Sequence, residues 1–313
     1  MNIGIIGLGK MGSGLVRRLH RGGHTPIGFD LDTEELAKLA YDDIGTAESL
    51  DELAGQLEAP RVFWLMVPAG EAVDSVLADL EPHLEAGSIV VDGGNSYYQD
   101  SMRRAKEMKE DVGALYVDCG VSGGVWGLEG GYCLMVGGED EPVGHLRPVF
   151  ETLAPAKDKG WGHMGPSGSG HFVKMIHNGI EYGLMQAYAE GFALMTAKEE
   201  FDLDTVEISN VWQYGSVIRS WLLELVENAL QEDGPGLSDI APYVADSGMG
   251  RWTVKEAMDL NIPAPVLTHS LIERIQSRDD RAFYSRLLAA LRNQFGGHAL
   301  KAAVSGADSE TGT

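Results

Sequence analysis

The feature that most restricts this chain stands at its start. Asn2-Ile3-Gly4-Ile5-Ile6, an apolar run short enough for a buried strand, leads directly into Gly7-Leu8-Gly9-Lys10-Met11-Gly12 and a helical stretch from Ser13 to Arg21. A G-x-G-x-x-G run between a strand and a helix is the mark of a dinucleotide-binding turn. Its first glycine permits the tight turn, its second lets a pyrophosphate approach the backbone, and its third allows close packing of helix on strand. The helix N-terminus then faces the phosphates. On this reading Gly7, Leu8, Gly9, Lys10, Met11 and Gly12 hold the cofactor. The next strand, Thr25 to Phe29, ends at Asp30, where a carboxylate accepts hydrogen bonds from the adenosine ribose. Asp32 competes for that contact, and the acids that follow at Glu34 and Glu35 also suit a solvated helix start. With no Arg in the segment to meet a 2′-phosphate, the position favours NAD.

Further buried strands are expected at Val62 to Val67, Ser88 to Val91, Leu115 to Asp118 and Tyr132 to Val136, separated by helical stretches. This alternation predicts an α/β, Rossmann-type doubly wound parallel sheet. Ligands of such sheets lie beyond the carboxyl ends of the strands. There the sequence places three turns of small residues: Val67-Pro68-Ala69, Asp92-Gly93-Gly94-Asn95-Ser96 and Cys119-Gly120-Val121-Ser122-Gly123-Gly124. Any one of them also reads as a tight turn chosen for its backbone; their common position suggests a ligand floor. Val67, Pro68, Ala69 and Asn95 are assigned to the cofactor.

The run Gly165-Pro166-Ser167-Gly168-Ser169-Gly170 interrupts regular structure and marks a boundary between a dinucleotide-binding domain, 1–165, and an all-α domain, 166–300, with a flexible tail, 301–313. The second domain opens with a long helix from His171 to about Glu200, expected to be largely buried. On it Lys174, Asn178, Glu181 and Tyr182 share one face. A buried Lys near a buried Glu is either a structural ion pair or an acid–base pair. Burial lowers the pKa of Lys and raises that of Glu, which suits a general base and a general acid. Later helices are expected at 204–214, 216–232, 239–244, 253–260, 265–278 and 281–293, the first capped by Asp204. Trp212, Trp221 and Trp252 read as core or dimer interface.

Composition narrows the function. Asp and Glu number 47 against 24 Lys and Arg, a formal charge of −23. That balance argues against nucleic acid, which requires a basic face, and it obliges any anionic substrate to find a local cluster of cations. The excess is read as adaptation to a salt-rich cytoplasm, where screening within about 3 Å at 1 M suppresses self-repulsion, with an ordinary acidic enzyme as the alternative. No apolar run approaches the roughly 20 residues of a membrane helix, and no export leader precedes the first strand. Two cysteines, Cys119 and Cys133, fall in segments read as interior strands, which fits free thiols in a reducing cytoplasm. No metal site is expected.

With these residues in view the chain resembles the 6-phosphogluconate dehydrogenases, in their shorter form. The resemblance lies in Gly7 to Gly12, in Asp92 to Ser96, in Gly120 to Gly124, in the run Gly170-His171-Phe172-Val173-Lys174-Met175-Ile176-His177-Asn178-Gly179-Ile180-Glu181-Tyr182, and in Arg292-Asn293-Gln294-Phe295-Gly296-Gly297-His298. It implies an NAD-dependent oxidation and decarboxylation of a phosphorylated sugar acid, with Lys174 as general base and Glu181 as acid. It further implies substrate contacts from Asn95, Ser122, Gly123, Gly124, His177, Asn178 and Tyr182, and from Arg274 on the phosphate. Arg292 and His298 are similar to residues that reach a neighbouring subunit's site, so the resemblance implies a homo-oligomer, at least a dimer. One position departs from the pattern. Where longer members carry a Lys in a KGTGKW-like run, this chain has Ser247-Gly248-Met249-Gly250-Arg251-Trp252, and Arg251 is a candidate substitute. Two other readings are carried forward: a sister β-hydroxyacid dehydrogenase acting on a small acid such as 3-hydroxyisobutyrate, and a nucleotide sensor without chemistry.

Overall fold

The computed structural model describes residues 1–279, 281–296 and 299–301. The first half runs β1 (Asn2–Ile6), α1 (Lys10–Arg21), β2 (Thr25–Phe29), α2 (Thr33–Tyr41), β3 (Gly45–Thr46), α3 (Leu50–Gly55), β4 (Val62–Leu65), α4 (Glu71–Leu80), β5 (Ile89–Asp92), α5 (Tyr98–Asp111), β6 (Leu115–Ser122), α6 (Gly127–Gly130), β7 (Cys133–Gly137), α7 (Asp140–Leu153) and β8 (Trp161–Gly165). The second half is helical: α8 (Ser169–Ala197), α9 (Thr205–Gln213), α10 (Trp221–Glu232), α11 (Met249–Asp259), α12 (Pro265–Gln276) and α13 (Phe283–Gly296).

The strands form one sheet in the order β3-β2-β1-β4-β5-β6-β7-β8. Its central strands are apolar on both faces because helices cover both. One buried cluster joins the sheet to α1, α2 and α7 through Leu15, Leu19, Leu39, Leu146 and Phe150. The other joins it to α3, α4 and α5 through Leu53, Val73, Leu80 and Met108. The chain leaves β1 in one direction for β2 and β3, then crosses back to β4 on its other side. The crevice at that reversal, beyond the carboxyl ends of β1 and β4, is where such sheets take a nucleotide.

The expectation of a parallel sheet needs one correction. β7 pairs antiparallel with β6, from Asp118↔Gly137 to Ser122↔Cys133, and β8 then pairs parallel with β7. The short link from Gly123 to Tyr132 explains the reversal, since a parallel crossover needs about a dozen or more residues and normally a full helix. No helix forms over 239–244. Pro242 removes a backbone donor there, and Ile240, Tyr243 and Val244 are exposed rather than packed. α8 is also less buried than expected. Its first half, through Gly170, His171, Lys174, Met175, Asn178, Gly179 and Gly183, lies against other elements, but Leu184, Met185 and Leu194 beyond them are exposed. Of its later turns, Tyr188, Phe192 and Met195 pack against residues of α9 and α10. No helix among the described residues is long and apolar enough to cross a membrane.

Candidate active site

The carboxyl ends of β1, β2, β4, β5 and β6 and one face of α8 enclose a cavity of about 1780 Å³. At one end lies the glycine turn. Gly7 has φ of +94°, and a Cβ added there would sit 2.6 Å from the Met66 carbonyl oxygen. A Cβ on Gly12 would fall 1.9 Å from the Gly7 oxygen, which is why α1 approaches β1 so closely. Gly9 is the opposite case, with nothing within 4 Å of an added Cβ. Its backbone is open to the cavity, and α1 behind it has no side-chain cap on its first amides. Uncapped amides beside an open glycine fit a pyrophosphate.

The six residues of the turn therefore divide. Gly7, Gly9 and Met11 line the cavity. Leu8 is fully buried in the core, Gly12 serves the helix–strand contact, and Lys10 is exposed; these three do not line it. Asp30 does. Its Oδ2 accepts from the Leu8 amide at 2.5 Å and its Oδ1 from the Asp32 amide at 2.8 Å, so it fixes the turn as well as facing the ribose position. Asp32, the rival, caps α2 by accepting from the Glu34 amide at 2.9 Å.

Val67, Pro68 and Ala69 form the next wall, and Asn95 the next. Asn95 is set by a buried carboxylate that sequence reasoning did not single out. Asp92 accepts from the Gly94 amide at 3.0 Å, from Ser96 Oγ at 2.7 Å and from the Tyr116 hydroxyl at 2.8 Å. Burial pushes the Tyr116 hydroxyl well above its ordinary pKa, so it remains a donor. The buried Arg104 guanidinium lies 3.5 Å from Asp92 and donates to Asp74 at 2.8 Å and to the Gly70 carbonyl at 3.1 Å. One network thus braces the turns after β4 and β5.

α8 contributes the titratable groups Lys174, His177, Glu181 and Tyr182 to the cavity. Lys174 is 5% exposed and lines the cavity. Burial holds its amine below its ordinary pKa, while the negative charge of Glu181 acts the other way; Cys133, whose thiol burial pushes up, is a further neighbour. Cys133 was missed as a neighbour because it reaches Lys174 through the antiparallel register, which seats it opposite Ser122. It is also exposed, unlike Cys119, although both were expected inside; the two thiols are free. Asn178 is buried, and His177 stands beside it with Nδ1 at 3.1 Å from Asn178 Oδ1 and Nε2 at 3.5 Å from Ser122 Oγ. Glu181 was expected to be buried. Its side chain is 34% exposed at the cavity wall, 3.7 Å from His177, because it lies on the flank of α8 that faces the opening. Ser122, Gly123, Gly124, Asn178 and Tyr182 line the same cavity.

Arg274 does not itself line the cavity; its guanidinium stacks 3.8 Å above the ring of Tyr182, which does, and donates to the Ala245 carbonyl at 3.0 Å. Ser247 lines the cavity with Oγ 3.3 Å from the Tyr182 hydroxyl. Arg251 is engaged elsewhere, on Asp246 at 2.5 Å, and does not line the cavity. Arg292 lies exposed on α13, apart from the site, and His298 lies outside the described residues. Trp221 is not core: it is 47% exposed and, with Leu222 and Leu225, walls the cavity from α10, an assignment only the tertiary fold makes.

Comparison with known proteins agrees with this geometry. Residues 2–165 match the model for the NAD binding domain of 6-phosphogluconate dehydrogenase, and residues 170–305 that for the 6-phosphogluconate dehydrogenase C-terminal domain. A decarboxylating, NAD(+)-dependent 6-phosphogluconate dehydrogenase of Haloferax volcanii is 49% identical over 95% of this chain and 98% of its own. Among solved structures, a Plasmodium falciparum 6-phosphogluconate dehydrogenase superposes with a TM-score of 0.81 at 29% identity, covering 98% of this chain and 67% of that one. A 3-hydroxyisobutyrate dehydrogenase of Salmonella typhimurium gives 0.72 at 25% identity, over 87% and 92%.

Proposed function

The chain belongs to the 6-phosphogluconate dehydrogenase family, and from that premise we propose that it is a cytoplasmic enzyme which converts 6-phosphogluconate to ribulose 5-phosphate and carbon dioxide, with NAD as hydride acceptor. One observation carries the reading: a buried lysine, its amine held below its ordinary pKa, converges with Asn95, Ser122, Asn178 and Glu181 beside a dinucleotide turn. Such an amine is available in neutral form to act as a base.

Gly7, Gly9, Met11 and Asp30 would hold NAD, with Val67, Pro68, Ala69 and Asn95 on the adjoining walls of the cavity. NAD would supply the acceptor for the hydride that leaves C3 of the substrate. Lys174 takes the proton of the C3 hydroxyl as that hydrogen departs. The product is a 3-keto acid, in which the carbonyl β to the carboxylate draws in the electrons of the C1–C2 bond. Carbon dioxide leaves, and the Lys174 ammonium stabilises the oxyanion and returns its proton to it. Glu181 then protonates the carbon that lost carbon dioxide, C1 of the product, while the Lys174 amine takes back the enediol hydroxyl proton, so that the ketone of ribulose 5-phosphate forms. His177, Asn178 and Ser122 orient the hydroxyls, with Gly123 and Gly124 offering close backbone approach. Arg274 meets the phosphate beside the hydroxyls of Tyr182 and Ser247, while Arg251 stays with Asp246.

The enzyme acts as a homodimer. Among the described residues no other element packs extensively on α13, and Phe283, Tyr284, Leu287, Leu288 and Leu291 leave an apolar stripe exposed along it. A second copy is the natural cover for that stripe, and its arrival brings Arg292 to the neighbouring site.

The test is reduction of NAD and NADP by the purified protein with 6-phosphogluconate and with 3-hydroxyisobutyrate, with evolved carbon dioxide trapped. The expected result is NAD reduction with equimolar carbon dioxide from 6-phosphogluconate. Turnover of 3-hydroxyisobutyrate alone, without carbon dioxide, would overturn the assignment.

A further inference from the structure

We infer that Asp118, which does not line the cavity, is a positioning residue for Lys174: its carboxylate, rooted in β6, caps the first turn of α8 and sets where along the sheet that helix comes to rest. The inference rests on the reading of Lys174 as the base.

A helix start leaves amide donors without partners inside the helix, and the residue before it normally supplies a side chain to meet them. α8 has no such residue. Its cap position is Gly168, at φ of +94°, and its first turn holds no acid. Those amides nonetheless lie where water does not reach, and unpaired they would be costly. Asp118, fully buried, answers both. Its Oδ1 accepts from the Gly168 amide at 2.6 Å and its Oδ2 from the His171 amide at 2.9 Å.

The same strand grips the helix again one turn later. Residues 118 and 120 lie on one face of β6, and residues 171 and 174 on one face of α8. A Cβ on Gly120 would stand 2.3 Å from the Lys174 Cβ, so the lysine stem rests on bare strand. Between the two grips the backbones nearly touch: a Cβ on Gly170 would be 2.4 Å from the Met135 oxygen and 2.6 Å from the Asp118 oxygen. The carboxylate and the bare glycine are therefore a matched pair. The first draws the helix end down onto β6, and the second lets it come close enough for Lys174 to reach the cavity floor.

Without the carboxylate two buried amides lose their acceptor, and the helix end shifts to find water. Lys174 moves with it, and a displacement of about 1 Å from the reacting geometry costs on the order of 10²-fold in rate. Cofactor binding is untouched, because the glycine turn and Asp30 belong to other elements.

The experiment compares the full-length enzyme with Asp118→Asn and Asp118→Ser. It measures kcat and KM for 6-phosphogluconate, the dissociation constant of NAD, and the isotope effect on kcat with substrate deuterated at C3. The proposal expects NAD binding within about twofold of the parent and kcat lower by about 10²-fold. The isotope effect should rise, because a misplaced base makes C–H cleavage slow. An unaltered kcat in a variant that binds NAD, or a lower kcat with an unaltered isotope effect, overturns it. Loss of NAD binding in both variants also overturns it, since Asp118 is then a folding residue. A parent enzyme without turnover on 6-phosphogluconate would instead bring down the functional reading, and this inference with it.

Discussion

Lys174 carries the strongest expectations at the scale of single residues. Lys174→Met should lower kcat by about 10² to 10⁴-fold, the usual worth of general acid–base assistance, while NAD titration gives the parent's affinity; near-normal turnover would remove Lys174 from the base role. The same variant should unfold at a higher temperature at neutral pH. A lysine whose folded pKa lies below its unfolded 10.5 binds fewer protons folded than unfolded, so its stability penalty is full below the folded value and is relieved as pH rises towards 10.5. Methionine carries no such penalty, and a scanning calorimeter reads the difference. Activity follows the same titration. kcat/KM should rise with pH through the depressed Lys174 value, because the neutral amine is the active form. Glu181 raises that value, so Glu181→Gln should move the acidic limb to lower pH as well as reducing kcat. The shared face of Lys174, Asn178, Glu181 and Tyr182 was legible because helical spacing alone dictates it. The exposure of Glu181 and the nearness of Cys133 were not, since both depend on what other elements lay beside α8.

At the scale of elements, contact between α8 and the sheet is made backbone to backbone, and glycines decide it. Gly170→Ala must force α8 away from β6 and β7, because the atoms it meets are backbone atoms that cannot swing aside; the expected loss is about 3 kcal/mol, at the upper end of overpacking penalties. Gly144, inside α7, is the control. A Cβ added there meets nothing within 4 Å, so Gly144→Ala should stabilise by up to about 1 kcal/mol through helix propensity. Denaturant melts of the two variants should shift in opposite directions, and equal shifts would refute the account of the α8 contact. Strand and helix identity came from local pattern: a short Ile-rich run and a glycine turn can do little else. Strand direction did not, because nothing within the sequence of β7 distinguishes a strand paired parallel from one paired antiparallel.

At the scale of the whole molecule the acidic excess and the exposed apolar stripe of α13 both concern what surrounds the chain. If the excess is an adaptation to salt, melting temperature and kcat should both rise from low to molar salt as self-repulsion is screened; a protein indifferent to salt would refute that reading. If α13 completes a neighbouring site, Lys174→Met and Arg292→Ala proteins, each weakly active alone, should regain about a quarter of parent activity when co-expressed, because about half of the dimers are mixed and one of the two sites in each receives both intact residues. No recovery, or a monomer by sedimentation, would place Arg292 in its own subunit's chemistry or in none.

What the sequence determined by itself were the features written in contiguous residues. The glycine turn and its Asp30 partner, the alternation of strand and helix, the chemical face of α8 and the Asp204 cap each follow from spacing or local backbone geometry. What only the tertiary structure decided were the features that depend on elements far apart in the chain meeting. Asp118 beside the α8 amides, Asp92 within reach of Tyr116 and Arg104, Trp221 as a cavity wall and Arg274 stacked on Tyr182 are of this kind. A buried charge takes its partner from whatever the fold brings within about 3 Å, and no periodicity in the chain encodes that meeting.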